Sequence, residues 1–282
     1  MPQSVNLAFA FGLSPERAIE YFRSRGYAIS GNWHEVWQEA HARAFTVAHA
    51  ARLDILQSIR DELDRALTEG TTLADFQSRL EPRLQSMGWW GRQVIVDSQG
   101  NAESVQLGSV RRLETIYRTN LQTSYQAGRW QAFDDNKSDR PYLQYVAVMD
   151  DRTRPSHAAM NGQVFPADDP IWHTHYPPNG FNCRCRVRAL SEKNIQSRGL
   201  AVQSSAGRMH EKDVLAGIDK HTGEERHATV SGIEIKGHDG RTTILWTDPG
   251  WNYNPGQAAW QPDLKRYDAD LARQFRNDTA PK

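Results

Sequence analysis

The chain has 282 residues, of which 34 are basic and 34 acidic, so its formal net charge is zero with histidine neutral. This balance excludes a polycationic coat for nucleic acid, which needs a large excess of Lys and Arg. A content of 38% apolar and 10% aromatic residues also excludes a disordered chain and predicts a real hydrophobic core.

The first 135 residues show the apolar spacing of three and four that is typical of amphipathic helices. Caps and spacing predict helices over 14–26, 32–70, 72–84 and 109–133. The longest of these carries an apolar face from Trp33 to Leu67, and Pro82 is expected to kink the third. Residues 88–91, Gly-Trp-Trp-Gly, are interpreted as a helix end followed by packing aromatics.

Beyond Arg140 the apolar spacing changes to two, which is typical of strands. Strands are predicted over 142–148 and 183–190. They flank a loop, 150–182, that is rich in Pro, Asp, Asn and Gly. A loop of this length is either functional or held by something other than backbone pairing.

In the last third of the chain, the sequence predicts a linker over 196–207, a hairpin of 229–235 with 242–246, and a short polar helix over 263–276. The whole pattern predicts an α+β protein with a helical N-terminal region, a small mixed α/β module with a long braced loop, and a β-containing tail. The corresponding domains are 1–135, 136–195 (with the helix 109–133 leading into it) and 196–282.

Two cysteines and three histidines form a candidate metal site in and beside the long loop. Cys183 and Cys185 are too close in sequence for an unstrained disulfide, but on a strand they project to the same side and could share a tetrahedral zinc at about 2.3 Å. The other ligands would be His157 and one of His173 or His175. Such a zinc would be structural and would brace the loop. The alternative is a pair of buried reduced thiols.

Five arginines in the same region form a candidate partner- or DNA-binding surface: Arg152, Arg154, Arg184, Arg186 and Arg188. Charges along a strand also serve as a solvated edge that opposes association between sheets. The functional interpretation is docking to phosphate or to an acidic protein surface. The zero net charge favours a protein partner over nonspecific DNA.

Catalytic signatures are missing from the sequence, which predicts a protein that is not an enzyme. It has no Gly-x-Ser-x-Gly elbow, Walker loop, dinucleotide fingerprint, His-Glu-x-x-His zincin motif or deaminase motif. A cysteine nucleophile paired with His157 stays open as an alternative. The competing function is a metal-dependent hydrolase or nuclease that uses His157, His173 and His175.

A membrane segment and a signal peptide are also not expected. No run approaches the roughly 18 apolar residues that cross a bilayer, and the first residues lack a basic region followed by a long apolar one. We therefore expect no membrane partner and a protein that stays in the compartment where it is made.

Residues 150–162, followed by 177–185, closely resemble the signature of the bacteriophage Mu F-like family of minor head, or head morphogenesis, proteins. Residues 116–129 resemble the helix that precedes this signature, and 251–256 resemble a C-terminal element of Mu-like members. The family's His and Cys positions fall on His157, Cys183 and Cys185.

The resemblance implies a virion component that is made in the host bacterial cytoplasm and built into the head near the portal during virion assembly. Portal protein and other capsid or scaffold proteins would be its partners, with packaged DNA as a further contact and no small-molecule substrate.

Overall fold

The computed structural model describes residues 16–27, 44–50, 52–96, 102–218, 223–236 and 240–260. Within these ranges the chain forms eight helices and ten strands, and the strands make two two-stranded and two three-stranded sheets. The prediction of a protein that contains both helices and strands is confirmed at this level.

The first half consists mainly of helices. Its elements are α1 (Glu16–Ser24), β1 (Gly26–Tyr27), β2 (Ala44–Phe45), α2 (Leu53–Glu69), α3 (Leu73–Ser86), β3 (Arg92–Val96), β4 (Ala102–Gln106) and α4 (Val110–Asp135). Strand β1 pairs in parallel with β2, and β3 pairs antiparallel with β4.

Local sequence signals account for the ends of these helices. Helix α2 stops at Gly70, whose left-handed backbone (φ 69°) is easily adopted by glycine. Thr72 and Asp75 form a capping box at the start of α3, and the Ser109 hydroxyl accepts a hydrogen bond from the Arg112 amide at the start of α4. Helix α3 continues through Pro82 to Ser86 without interruption.

The apolar faces of α1 to α4 meet in a first hydrophobic core. Its fully buried side chains include Phe22, Phe45, Leu56, Ile59, Leu63, Phe76, Leu80 and Leu113. Trp89 belongs to this core, and its ring Nε1 donates to the carbonyl of His49 at 2.8 Å. Trp89 of the Gly-Trp-Trp-Gly segment therefore packs in the core, as we predicted from the sequence.

The predicted helix over 32–70 is wrong over residues 44–50. Ala44–Phe45 is a strand, and His49 has a left-handed backbone (φ 56°) that a helix cannot contain. Side chains from distant segments bind the carbonyls here: Trp89 binds that of His49, and Arg112 binds that of Ala48. The part of the predicted helix over 32–43 lies outside the described residues.

The β3–β4 hairpin was not predicted, because only residues 88–91 were interpreted between the third and fourth helices. Gly88 and Gly91 take left-handed backbones (φ 75° and 74°), and the Gly91 amide donates to the carbonyl of Gly108. The signal was present in the apolar run 94–96, followed by the turn-forming residues 97–101.

The second half contains the region with the cysteines. Its elements are β5 (Tyr142–Val146), α5 (Pro155–Met160), β6 (Val164–Pro166), α6 (Ile171–Thr174), β7 (Arg186–Leu190) and α7 (Glu192–Arg198). Strand β5 lies at the centre of an antiparallel sheet with the order β6-β5-β7.

The prediction that Cys183 and Cys185 lie in a strand is wrong. The pairing of β5 with β7 ends at Val146 opposite Arg186, so both cysteines precede the strand. Asn182 has a left-handed backbone (φ 60°), and the Cys183 amide donates to the carbonyl of Gly180 in a turn. Two-residue alternation is nevertheless retained, since both cysteines and Val187 are buried.

The tail forms a third sheet and a short helix: β8 (Met209–Ile218), β9 (Glu225–Lys236), β10 (Thr242–Trp246) and α8 (Pro255–Trp260). The predicted hairpin is confirmed, with Thr242 opposite Lys236, although its turn residues 237–239 lie outside the described ranges. Strand β8 adds to the other side of β9 and was not predicted. The helix predicted over 263–276 lies outside the described residues.

A second hydrophobic core joins this tail sheet to the sheet of β5, β6 and β7. Ile233, Ile235 and Leu245 of the tail pack in one cluster with Tyr145 and Trp172. Helix α4 connects the two cores, because its first half lies in the first core and its last turns pack against the second. The three-domain division remains a prediction.

None of the helices within the described ranges has the length and apolar content needed to cross a bilayer.

Candidate metal centre

Three buried side chains converge where α5 meets the turn before β7. His157 lies in α5, which begins with Pro155 at a position where its missing amide hydrogen costs nothing. The His157 Nδ1 atom is 3.6 Å from Cys183 Sγ and 3.4 Å from Cys185 Sγ. All three potential ligand atoms lie within 4.8 Å of one another.

The turn that carries the cysteines is fixed on its outer side by an ion pair. Arg184, between the two cysteines, points away from them and binds both carboxylate oxygens of Asp150 at 2.7 and 2.5 Å. This contact holds the pKa of Asp150 below its ordinary value, because the guanidinium favours the charged carboxylate. In this short segment, therefore, the thiols of Cys183 and Cys185 lie inward and the guanidinium of Arg184 lies outward.

The two thiols have different pKa values, because the hydrogen bond between them favours the thiolate at Cys183 and the protonated thiol at Cys185. The pKa of Cys183 is lowered, first by a hydrogen bond from Cys185 and also by one from His157. The pKa of Cys185 is raised, first by its bond to Cys183 and then by burial. One thiolate is thus favoured beside an imidazole, a donor set that suits a soft divalent ion.

The two nitrogen–sulfur spacings fit a tetrahedral zinc. Zn–S bonds of about 2.3 Å and Zn–N bonds of about 2.0 to 2.1 Å place nitrogen and sulfur about 3.5 to 3.6 Å apart around the ion. The two nitrogen–sulfur distances are 3.4 and 3.6 Å. Within the described ranges, this trio is the one group of three or more His, Cys, Asp or Glu side chains that could hold an ion.

The structure does not bring His173 and His175 into this trio. His173 is exposed on α6, and its Nδ1 lies 2.8 Å from Gln257 Oε1. His175 is buried, with Nδ1 at 2.9 Å from Thr174 Oγ1 and Nε2 at 3.2 Å from the carbonyl oxygen of Leu245. Both rings therefore have hydrogen-bond partners of their own.

The five candidate arginines do not form one continuous surface of unpaired side chains. Arg184 is paired with Asp150, Arg154 with Asp248, and Arg188 Nε donates to Gln144 Oε1 at 2.8 Å. Arg186 is half-buried. The side chain of Arg152 is 68% exposed and lies 3.8 Å from Asp150, so it is the arginine of these five best placed to meet another molecule.

Four polar residues that the sequence did not identify surround the trio. Gln122 and Gln126 of α4 both donate to the backbone carbonyl of Cys185, at 2.7 and 3.3 Å. The Tyr145 hydroxyl donates to Asn179 Oδ1 at 3.1 Å, and the backbone N–H of Asn179 donates to the Cys183 sulfur. A signal for the two glutamines was the charge-free run 119–128, which is unusual in a helix with one solvated face.

Comparison with known proteins gives consistent matches. Residues 57–188 match the family model described as Phage Mu protein F like protein. A protein of Escherichia phage Mu that carries the name capsid assembly protein F is 50% identical over 93% of this chain. The Mu-like prophage FluMu F protein of Haemophilus influenzae is 47% identical over 89% of it. The chain spans 59% of the length of each relative, and no solved structure matches it.

Proposed function

The chain belongs to the phage Mu F-like family, and from this premise we propose that it is a minor capsid protein that acts in head morphogenesis. The observation that carries the proposal is the 50% identity, over 93% of the chain, to a relative named for capsid assembly. Identity at this level extends through both hydrophobic cores, so it concerns the whole described fold and not one motif.

We further propose that the protein resides in the virion head near the portal. Its partners are the portal protein and other capsid or scaffold proteins, and it also contacts packaged DNA. Arg152 supports a charged contact of this kind, because its side chain is 68% exposed beside a turn that Arg184 and Asp150 hold in place. We propose no catalytic role, since His173 and His175 hydrogen-bond other groups and neither joins His157, Cys183 and Cys185 in the cluster.

The test of this role is assembly in the host. A phage lacking this protein is complemented with the tagged chain, and the heads are separated by sedimentation. We expect the chain to co-sediment with heads and portal protein. We also expect Arg152→Glu to weaken this association more than Arg17→Glu, a reversal of another partly exposed arginine that is paired with Asp135 in the first half. Infectious heads that form equally well without the chain would contradict the role.

We propose that His157, Cys183 and Cys185 supply three of the four ligands of a zinc, which would make a rigid junction between α5 and the turn before β7. The matching nitrogen–sulfur spacing and the favoured thiolate at Cys183 support this ion. The residues themselves keep the ion from bulk water, because His157, Cys183 and Cys185 are 8%, 7% and 2% exposed.

Histidine variants separate the zinc brace from the hydrolase hypothesis. We expect the purified full chain to contain about one zinc, and His157→Gln and the double variant Cys183→Ser, Cys185→Ser to lose it. His173→Gln and His175→Gln are matched controls that should keep it. Zinc lost equally from all three histidine variants, together with hydrolysis of DNA or peptide by the parent chain, would support the enzyme instead.

A further inference from the structure

Two glutamines are completely enclosed where α4 passes beneath the turn that carries the cysteines. Gln122 and Gln126 are 3% and 0% exposed. They are four residues apart in a helix and therefore lie one above the other on the same face. Both side-chain amides donate to a single acceptor, the backbone carbonyl of Cys185, at 2.7 and 3.3 Å.

This arrangement holds a carbonyl at the end of the sheet, where strand pairing stops. Strand pairing ends at Arg186, so Cys185 is the first residue outside the ladder and its carbonyl lies at the ladder's end. A carbonyl oxygen has two lone pairs, and the two amides can occupy both. The position of the Cys185 backbone therefore depends on α4 as well as on the adjoining strand.

The same peptide carries one of the three candidate ligands. Cys185 Sγ lies 3.4 Å from Nδ1 of His157, which belongs to a different element, α5. A shift of the Cys185 backbone would change this distance directly, and a tetrahedral ion tolerates only small departures from its bond lengths. Groups that hold metal ligands from behind in this way set the affinity of a site as well as its shape.

We propose that Gln122 and Gln126 are positioning residues of the metal centre: by holding the Cys185 carbonyl they aim its sulfur at the ion shared with His157 and Cys183. The inference rests on the zinc site proposed above. It links occupancy of the site to α4, the helix that joins the two hydrophobic cores. The competing explanation is that the glutamines merely satisfy a buried carbonyl and stabilise the fold.

Zinc affinity of the full chain distinguishes these explanations. Gln122→Met and Gln126→Met keep similar volume and remove the amide donors. We expect the zinc dissociation constant, measured by competition with a chromophoric chelator, to rise by about 10- to 100-fold. The larger effect should belong to Gln122, whose hydrogen bond is shorter. Gln122→Asn, which keeps an amide but is one methylene shorter, is the second variant if Gln122→Met fails to fold.

A matched control comes from another buried glutamine. Gln144 of β5 is 4% exposed; its side-chain amide donates to the carbonyl of Gly162 at 2.9 Å, and its Oε1 accepts from Arg188 Nε at 2.8 Å. Gln144→Met should lower the free energy of unfolding but leave the zinc dissociation constant within about twofold of the parent. In the cobalt-loaded chain, the thiolate-to-cobalt absorption should change in the Gln122 and Gln126 variants and not in the Gln144 variant.

The possible failures are separable. Zinc affinity that is unchanged in folded Gln122 and Gln126 variants, while the parent chain binds zinc, overturns the positioning role and leaves the zinc site standing. A parent chain that takes up neither zinc nor cobalt overturns the zinc site together with this inference. The assembly role is measured on heads and is independent of both results.

Discussion

At the scale of single residues, two histidines two positions apart have opposite environments. His173 is exposed on α6, whereas His175, just after the end of this helix, is 4% exposed. Burial lowers the pKa of His175 from its ordinary 6.5 to about 4, and nearby His157 acts in the same direction. The hydrogen bond from its ring to the Leu245 carbonyl opposes this shift but does not cancel it.

We expect His175 to make the fold sensitive to mild acid. Above pH 6.5 the ring is neutral in both states; between pH 6.5 and about 4 the unfolded chain takes up a proton that the folded chain resists. Stability is therefore lost as the pH falls, by about 2 kcal/mol from this residue between roughly pH 7.5 and 5.

Urea unfolding at the two pH values measures this effect. His175→Gln, which cannot titrate, should lose less stability on acidification than the parent chain, and the exposed His173→Gln should behave like the parent. An equal loss of stability in the parent and His175→Gln chains would show that the ring is not held neutral.

The limits of prediction at this scale follow from distance along the chain. That Cys183, Cys185 and His157 would meet was predictable, because two thiols with one residue between them define a point and the loop that holds the imidazole must return to it. The burial of His175 and its hydrogen bond were not predictable, since its partner Leu245 lies 70 residues further along the chain. Whether a ring turns toward a sulfur or a carbonyl depends on packing that periodicity does not encode.

At the scale of elements, α8 lies so close to α4 that glycine is needed at the contact. A Cβ atom added to Gly256 would lie 2.3 Å from Cβ of Trp130. Trp130 Cβ is fixed by the helix backbone, so the helices themselves would have to separate. We expect Gly256→Ala to lower the free energy of unfolding by about 1 to 3 kcal/mol through this overpacking.

Chemical denaturation followed by tryptophan fluorescence measures this loss. Gln257→Ala, on the same helix, removes a side chain without adding an atom at the contact and should change stability by about 0.5 kcal/mol or less. If Gly256→Ala were as stable as the parent chain, the close packing of α8 on α4 would be wrong.

Elements governed by their own sequence were predicted well, and those governed by tertiary contacts were not. Helix α4 was predicted over 109–133 and spans Val110–Asp135, because its cap and apolar spacing are local signals. The helix predicted over 32–70 is absent over 44–50, where Trp89 and Arg112 bind the backbone carbonyls of His49 and Ala48. No local propensity reveals such a contact.

At the scale of the whole molecule, the two hydrophobic cores differ in their relation to the candidate metal centre. Cys183 and Cys185 are themselves members of the second core, together with Tyr145 and Val187. The first core is built from α1 to α4 and the neighbouring β2 and β4 and contains none of the trio. That the tail sheet shares the second core was not predictable, because Ile233 and Leu245 read in sequence only as members of a hairpin.

We therefore expect removal of zinc to loosen one core and spare the other. When the zinc-loaded full chain is treated with a chelator, backbone amide hydrogen exchange should become faster over 148–161 and 180–187. Exchange in α2 and α3 should remain unchanged, because their protection comes from the first core. Residues 121–127 of α4 should show an intermediate response, since the Cys185 carbonyl is bound there by Gln122 and Gln126.

The double variant Cys183→Ser, Cys185→Ser supplies the control for this measurement, because its exchange should already be fast in the same segments and should not respond to the chelator. Exchange that rises equally in α2 and α3 would mean that the two cores unfold as one unit. No response anywhere in a chain shown to have lost its zinc would mean that the ion does not brace the fold, because hydrogen bonds such as that between His157 and Cys185 would then suffice to hold the turn.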